Sequence, residues 1–154
     1  MPYGTWIIRE IESPTGFVLS DEEIPVTIGS VDEIVEVELV NEFITGSIEL
    51  TKVDEDYPDN KLTGAVFEVY ADKNGDGKLD EGDELLGEMA ELGDGVYQMS
   101  DLRYGKYLVR ETKAPEGFLL DTNVYPVSIE EDGKIYTVEN EAGVGFINAA
   151  RKAL

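Results

Sequence analysis

The chain has 154 residues, of which 42% are hydrophobic, and 34 acidic residues against 12 basic ones give a formal net charge of −22. This charge repels phosphate backbones and anionic headgroups, which argues against nucleic-acid and membrane-surface partners, and no apolar run is long enough for membrane insertion. The absence of cysteine and histidine excludes disulfides, thiolate metal sites and histidine-based acid–base catalysis.

An internal repeat divides the sequence. Residues 3–17 lie over residues 104–118, and apolar, glycine and proline positions match along the alignment. Residues 1–45 then correspond to the C-terminal portion of one repeat, and residues 46–154 form a complete one. The apolar content agrees with this division, because it suffices for one core and part of a second but not for two full domains.

The complete repeat consists of short runs that alternate between apolar and polar residues, which predicts an all-β fold. In chain order, the predicted strands are 47–53, 65–71, 84–91, 95–99, 105–112, 124–130, 134–139 and 144–148. Turns are predicted at Asp94-Gly95, Pro115-Glu116-Gly117 and Asp132-Gly133. About seven or eight short strands indicate an Ig-like β-sandwich, preceded here by a partial copy of the same domain.

Three polar residues continue apolar faces of these strands, namely Lys52, Glu111 and Asn148. Each alone could mark a strand end that emerges into water, but together they indicate a buried cluster. Burial favours a neutral amine and a neutral acid. A neutral Lys52 could attack the side-chain carbonyl carbon of Asn148 while Glu111 hydrogen-bonds the carbonyl oxygen and shuttles protons, so that ammonia leaves. The reaction runs once, which predicts a crosslink and no enzymatic turnover.

Three motifs carry a family resemblance. They are Leu50-Thr51-Lys52-Val53-Asp54, the run Leu62-Thr63-Gly64-Ala65-Val66-Phe67-Glu68-Val69-Tyr70, and the run Leu102-Arg103-Tyr104-Gly105-Lys106-Tyr107-Leu108-Val109-Arg110-Glu111-Thr112-Lys113-Ala114-Pro115-Glu116-Gly117-Phe118. The sequence resembles the B-type domain of collagen-binding adhesins, also called the SpaA-like pilin domain. The resemblance covers nearly the whole chain. It implies a prealbumin-like sandwich, repeated along cell-surface adhesins and pilus backbones, with an isopeptide bond between the first and last strands.

The resemblance also implies roles for individual residues: Lys52 as the bonded lysine, Glu111 as the catalytic acid and Asn148 as the acceptor. Asn140 is an alternative acceptor, because it too continues an inward-facing stripe. Its spacing from Glu111 is closer to the spacing between the equivalent acid and asparagine of the partial repeat. Asn148 is preferred because the residues before it look like a separate terminal strand, as the family requires.

In the partial repeat, Glu10 and Asn41 match the acid and the acceptor, whereas the matching lysine would lie upstream of Met1. This portion is therefore not expected to crosslink itself. The first residues also lack the basic flank and apolar stretch of a signal peptide. We expect the chain to be a fragment of a longer protein or a truncated reading frame.

Residues 72–83 have the spacing of an EF-hand calcium loop, with glycine at the sixth position and an apolar residue at the eighth. Strands rather than helices flank the segment, so the sequence predicts a bound Ca²⁺ that stiffens a loop and not a calcium switch. Aspartate in place of glutamate at the twelfth position weakens the match, and an acidic hairpin that binds nothing is the alternative. The predicted ligands are Asp72, Asn74, Asp76, the backbone carbonyl of Lys78, Asp80 and Asp83.

Three functions are compatible with these features to different degrees. A structural stalk module with neighbouring repeats as partners is favoured by the tandem arrangement. A binding module that contacts a host extracellular-matrix protein or glycan is the alternative, with Trp6, Tyr57, Tyr97 and Tyr125 as candidate contacts. A glycosidase would need two acids paired in a defined cleft, and nothing in the sequence pairs them.

Overall fold

A computed structural model describes residues 4–54, 56–57, 59–139 and 146–148 of the chain. These residues contain eleven β-strands and no helix. Within these residues, no helix could cross a membrane. The strands are β1 (Gly4–Arg9), β2 (Glu23–Ile28), β3 (Thr45–Asp54), β4 (Val66–Ala71), β5 (Glu84–Glu88), β6 (Ala90–Gly93), β7 (Val96–Arg103), β8 (Gly105–Lys113), β9 (Val124–Ile129), β10 (Ile135–Thr137) and β11 (Phe146–Asn148). The chain divides into two compact units, Met1–Ile44 and Thr45–Leu154.

The first unit is built on one antiparallel pair, β1 with β2, in which Trp6 lies opposite Val26. An isolated bridge joins Phe17 to Phe43, whose ring centroids are 4.8 Å apart. Val26 is buried, but Ile7 keeps 67% of its surface exposed. The strand pair therefore leaves much of its apolar surface in contact with solvent.

The second unit contains two sheets. One has the strand order β10-β3-β7-β6, with β11 also paired to β3, and the other has the order β5-β4-β8-β9. β3 is antiparallel to β7 but parallel to both β10 and β11. The first strand of the unit thus lies beside the last described one. Strands this far apart in sequence can pair in parallel only after the chain has returned to the starting end of the sheet.

Apolar side chains from both sheets meet in one core, as expected for a β-sandwich. Alternation along the strands selects them, because residues two apart point to the same side. Within this core cluster the fully buried side chains are Ile48, Leu50, Phe67, Val69, Val109 and Ile129, with Tyr97 almost fully buried among them. The predicted all-β sandwich is confirmed.

The internal repeat is visible in the structure as the same turn in both units. The N–H of Phe17 donates to the carbonyl of Pro14, and the N–H of Phe118 donates to the carbonyl of Pro115, both at 3.1 Å. The glycines that precede these phenylalanines have φ values of 87° and 86°, which favour glycine because it has no Cβ. The predicted turn at Pro115-Glu116-Gly117 therefore forms, and its counterpart forms in the first unit.

One predicted strand is wrong. The segment 84–91 was expected to be a single strand, but β5 ends at Glu88 and β6 begins at Ala90, and the two lie in different sheets. Between them Met89 donates its N–H to the carbonyl of Phe67 and is buried. Gly87, with φ of 145°, lies beside an irregularity in the β4–β5 register. The chain thus bends from one layer to the other while the apolar pattern continues.

Candidate functional site

Lys52 is a fully buried lysine on β3. It follows Ile48 and Leu50 on the same face, and all three side chains have 0% exposure. Its backbone is fixed on both sides, because its N–H donates to Gly95 at 2.7 Å and its carbonyl accepts from Leu62 at 2.9 Å. The strand therefore holds the base of this side chain rigidly, with the amine directed into the sandwich.

Glu111 approaches the same point from the other sheet. It lies on β8, opposite Phe67 of β4, and is 3% exposed. Its Oε1 is 3.5 Å from Nζ of Lys52, and both side chains are shielded from solvent. The Lys52 amine also lies 5.6 Å from the centroid of the Phe67 ring. The two sheets thus bring together an amine and a carboxyl group whose sequence positions are far apart.

Burial of Lys52 shifts its protonation equilibrium towards the neutral amine. Burial lowers the pKa of Lys52 from 10.5 to about 8, and the nearby charges of Glu111 and Asp121 oppose that fall without cancelling it. At pH 7 a lysine with this pKa is deprotonated in about one molecule in ten, against roughly one in three thousand for an ordinary lysine. The site therefore supplies an amine that can act as a nucleophile near neutral pH.

The last described strand lies beside the lysine. In the parallel pairing of β11 with β3, Phe146 is opposite Lys52 and Asn148 is opposite Asp54. Asn148 therefore occupies the register position two residues beyond the lysine, although its side chain lies outside the described residues. Asn140, the alternative acceptor, also lies outside them. The choice between the two asparagines stays a prediction.

The first unit contains a second acid and asparagine in direct contact. Nδ2 of Asn41 donates to both carboxylate oxygens of Glu10, at 3.0 and 2.8 Å, and to the carbonyl of Val18 at 3.0 Å. The repeat aligns Glu10 with Glu111, and Asn41 is the asparagine of the first unit that was matched to the acceptor. In this pair, the carboxyl group touches the nitrogen that would have to leave if an amine replaced it.

Residues 72–83 form a loop whose carboxylates are engaged by its own backbone. Asp72 is buried and accepts N–H bonds from Gly75 at 3.0 Å and Gly77 at 2.9 Å. Asp83 accepts from the N–H groups of Lys73 and Asp80, both at 2.9 Å. Nowhere in the described part of the chain do three or more carboxylates form a metal-binding group. The remaining predicted ligands have similar local bonds: Asn74 with Asp76, Asp76 with Lys78, and Asp80 with Asn74 and Gly82.

The four aromatic residues proposed as ligand contacts differ in exposure. Tyr57 is 71% exposed and Trp6 is 37% exposed. Tyr97 is only 1% exposed, and its hydroxyl accepts from the N–H of Ala65 at 3.1 Å, so its assignment as a surface contact is wrong. Tyr125 is half-buried and packs against the core. Alternation on β7 points Tyr97 inward, where its ring packs edge-to-face against Phe67 with centroids 5.0 Å apart.

The sequence did not reveal one residue near the acid. Asp121 donates its backbone N–H to Oε2 of Glu111 at 2.9 Å. The repeat aligns Asp121 with Ser20, whose N–H donates to Glu10 at 2.7 Å. The backbone makes this contact, so it does not require a particular side chain, and the residue is serine in one unit and aspartate in the other. No residue pattern in the sequence therefore marks the position.

Comparisons with known proteins agree with this architecture. A family profile described as the SpaA prealbumin-like fold domain matches residues 46–142. The Bacillus anthracis TIE protein is 28% identical with a TM-score of 0.79, over 97% of this chain and 26% of that one. BcpA, the major pilin subunit of Bacillus cereus, is 28% identical with a TM-score of 0.53, over 87% of this chain and 35% of that one.

The chain thus spans about a quarter to a third of the length of these two structures. No curated protein sequence matches it. The family profile covers well over half of the chain, and it covers the sandwich in which Lys52 and Glu111 meet. The chain belongs to the family of SpaA prealbumin-like fold domains.

Proposed function

We propose that this chain is a non-enzymatic structural module of a Gram-positive cell-surface protein. Its second unit forms an intramolecular amide crosslink between the side chains of Lys52 and an asparagine. The observation that carries the proposal is the buried contact between Lys52 and Glu111 at 3.5 Å. A buried lysine and glutamate that only stabilise a fold are often replaceable by apolar residues at no loss. Their position next to the last described strand favours a chemical role.

The proposed reaction exchanges one amide nitrogen for another. The neutral amine of Lys52 attacks the side-chain carbonyl carbon of the acceptor asparagine, and the new C–N bond forms. Glu111 takes a proton from the attacking nitrogen and delivers one to the departing nitrogen, so the old C–N bond breaks and ammonia leaves. Glu111 ends in its starting protonation state, and no oxidant or cofactor is consumed.

The contact between Glu10 and Asn41 in the first unit supports an asparagine as the acceptor. There the carboxyl group lies 2.8 and 3.0 Å from the amide nitrogen, which suits delivery of a proton to a leaving group. The same chemistry in the second unit would join β3 to the end of the domain. A covalent link between strands this far apart in sequence would strongly restrict the unfolded chain.

Intact-mass measurement tests the crosslink. The folded chain should be lighter than its sequence mass by one ammonia, and Lys52→Ala and Glu111→Ala should each restore the full mass. Lys134→Ala is the matched control, because Lys134 is an exposed lysine that pairs with Glu131 at 2.9 Å. A full sequence mass for the folded unsubstituted chain would refute the bond.

The same measurement distinguishes the two acceptors. If Asn148 is the acceptor, Asn148→Ala should restore the full mass and Asn140→Ala should not. The reverse result would identify Asn140 as the acceptor. Peptide mapping of the crosslinked chain gives an independent answer, because the branched peptide contains the acceptor. Restoration by neither variant alone would show that a different residue accepts the amine.

A bound Ca²⁺ in the loop 72–83 is a further part of the proposal. Asp72, Asp76, Asp80 and Asp83, with Asn74 and the carbonyl of Lys78, provide the oxygen ligands that Ca²⁺ prefers. Some of these oxygens now accept backbone N–H bonds, so binding requires them to turn towards the ion. The cation would offset repulsion among neighbouring carboxylates and so stabilise the folded state.

Thermal unfolding with and without chelator tests the calcium proposal. Added Ca²⁺ should raise the melting temperature of the unsubstituted chain, and a chelator should reverse the rise. Asp72→Asn should abolish the response. A melting temperature that does not respond to Ca²⁺ would identify the segment as an acidic hairpin.

The proposed partners are neighbouring repeats of the parent protein or other subunits of the same surface structure. The description of BcpA as a major pilin subunit supports this assignment and a location at the cell surface. Of the four candidate aromatic contacts, Tyr97 is buried, and Tyr125 is half-buried and packs against the core. The structural role is therefore preferred to a ligand-binding one.

A further inference from the structure

The two carboxyl oxygens of Glu111 face different groups. Oε2 accepts the backbone N–H of Asp121 at 2.9 Å, and Oε1 is the oxygen 3.5 Å from Nζ of Lys52. An oxygen that accepts an N–H bond has a lone pair already engaged, so the other oxygen of the carboxyl group is the one left to exchange protons. The N–H of Asp121 therefore leaves Oε1 as the oxygen that can exchange protons with Lys52.

The N–H of Asp121 is itself held in place by the aspartate side chain. Oδ1 of Asp121 accepts from the N–H of Asn123 at 2.8 Å, and Oδ2 accepts from the hydroxyl of Tyr125 at 2.5 Å. Tyr125 belongs to β9 and packs against the core. The tyrosine thus connects a rigid strand to the loop residue whose backbone contacts the acid.

The first unit repeats this arrangement with a different side chain. The N–H of Ser20 donates to Oε2 of Glu10 at 2.7 Å, and Oγ of Ser20 accepts from the N–H of Glu22 at 3.2 Å. Serine and aspartate both form a bond to the N–H two residues later, which fixes the loop at this point. The shared element is the backbone donor and not the identity of the residue.

We propose that Asp121 and Tyr125 are positioning residues for the amide-forming reaction of the second unit. They hold one N–H against Oε2 of Glu111, so that Oε1 is the oxygen left to exchange protons with the amine of Lys52. This inference rests on the proposed function. It assigns a role to two residues that the new amide bond does not join.

The test is a time course of ammonia loss during cell-free synthesis of the whole chain, with samples quenched in denaturant and analysed by intact mass. Tyr125→Phe should slow the loss by about three- to tenfold, the factor that corresponds to the net contribution of one hydrogen bond. Tyr136→Phe is the matched control. Its hydroxyl accepts the N–H groups of Glu130 and Glu131, both at 2.9 Å, and the side chain also packs against the core.

A second pair of variants distinguishes the effect of positioning the Asp121 N–H from the effect of the Asp121 carboxylate charge. Asp121→Ser and Asp121→Ala both remove the carboxylate, but serine keeps the local bond that Ser20 forms in the first unit. Both changes remove the same charge near Lys52, so any difference between their rates reports the hold on the N–H. Asp121→Ala should be slower than Asp121→Ser by a factor of about three or more.

The outcomes separate the two proposals. If the unsubstituted chain never loses ammonia, the proposed function fails. If it loses ammonia but Tyr125→Phe reacts at the same rate, or if Asp121→Ser is no faster than Asp121→Ala, the positioning role fails while the crosslink stands. An equal slowing by Tyr136→Phe would also overturn the positioning role, because it would attribute the effect to general loss of stability.

Discussion

The buried amine of Lys52 should make the stability of a crosslink-free chain depend on pH. The suitable background carries both Asn140→Ala and Asn148→Ala, which removes the candidate acceptors and keeps Lys52 and Glu111. In the unfolded chain Lys52 has its ordinary pKa of 10.5, and in the folded chain burial lowers this pKa to about 8. Between these two values, the unfolded state binds more protons than the folded state. The free energy of unfolding must therefore rise with pH in this interval.

The size of the effect follows from the two pKa values. The fall from 10.5 to about 8 corresponds to a penalty of roughly 3 kcal/mol, present in full below pH 8 and lost by about pH 10.5. From pH 7 to pH 10 the free energy of unfolding should therefore rise by about 2.5 kcal/mol. Above pH 10 tyrosines begin to contribute, because burial raises the pKa of Tyr97 and of Tyr107 in the folded state.

Urea unfolding at pH 7, 8, 9 and 10 measures this rise. The control is the same background with Lys52→Met, which keeps a long side chain but removes the titrating amine. The difference between the two chains isolates Lys52 from the general repulsion caused by a net charge of −22. Parallel curves for the two chains would refute the idea that the folded state holds a desolvated amine.

Two further predictions concern the packing around the site. Phe67→Ala should lower the free energy of unfolding by about 3–5 kcal/mol, because the ring is fully buried between Tyr97 and Lys52. Phe67→Leu should lower it by less, because leucine leaves a smaller cavity. Equal losses of stability for the two variants would contradict this reasoning. Gly95→Ala should destabilise far more than Gly93→Ala in urea unfolding. Both glycines have positive φ, but only at Gly95 would a new Cβ meet backbone, 2.8 Å from the Lys52 carbonyl, so equal effects would show that the turn can shift.

Much of the sandwich and part of the site could be predicted from the sequence, because both depend on alternation along strands. Lys52 and Glu111 continue apolar stripes, and both are buried. The approach of the two residues could not be derived from alternation alone, since it depends on how the sheets pack. A cluster is inferred from the three polar residues taken together and is also implied by the family resemblance, and the distance of 3.5 Å between Lys52 and Glu111 agrees with it.

Other features could not be predicted from the sequence for identifiable physical reasons. The break at Met89 leaves the apolar pattern intact, because the chain changes sheets while its side chains continue to face the core. The contact of Asp121 with Glu111 depends on a backbone N–H, which every residue except proline possesses. The burial of Tyr97 could not be predicted, because a tyrosine suits either a surface contact or a core position with a hydrogen-bonded hydroxyl.

The pairing of β3 on both sides limits which molecules Lys52 can react with. One edge of this strand is occupied by β7 and the other by β10 and then β11. A reactive lysine on an open edge could be reached by a strand of a second molecule, and the products would then be branched polymers. Here a foreign strand would first have to displace a native neighbour. The proposed bond would therefore form within one molecule, and covalent growth between molecules would need a separate chemistry.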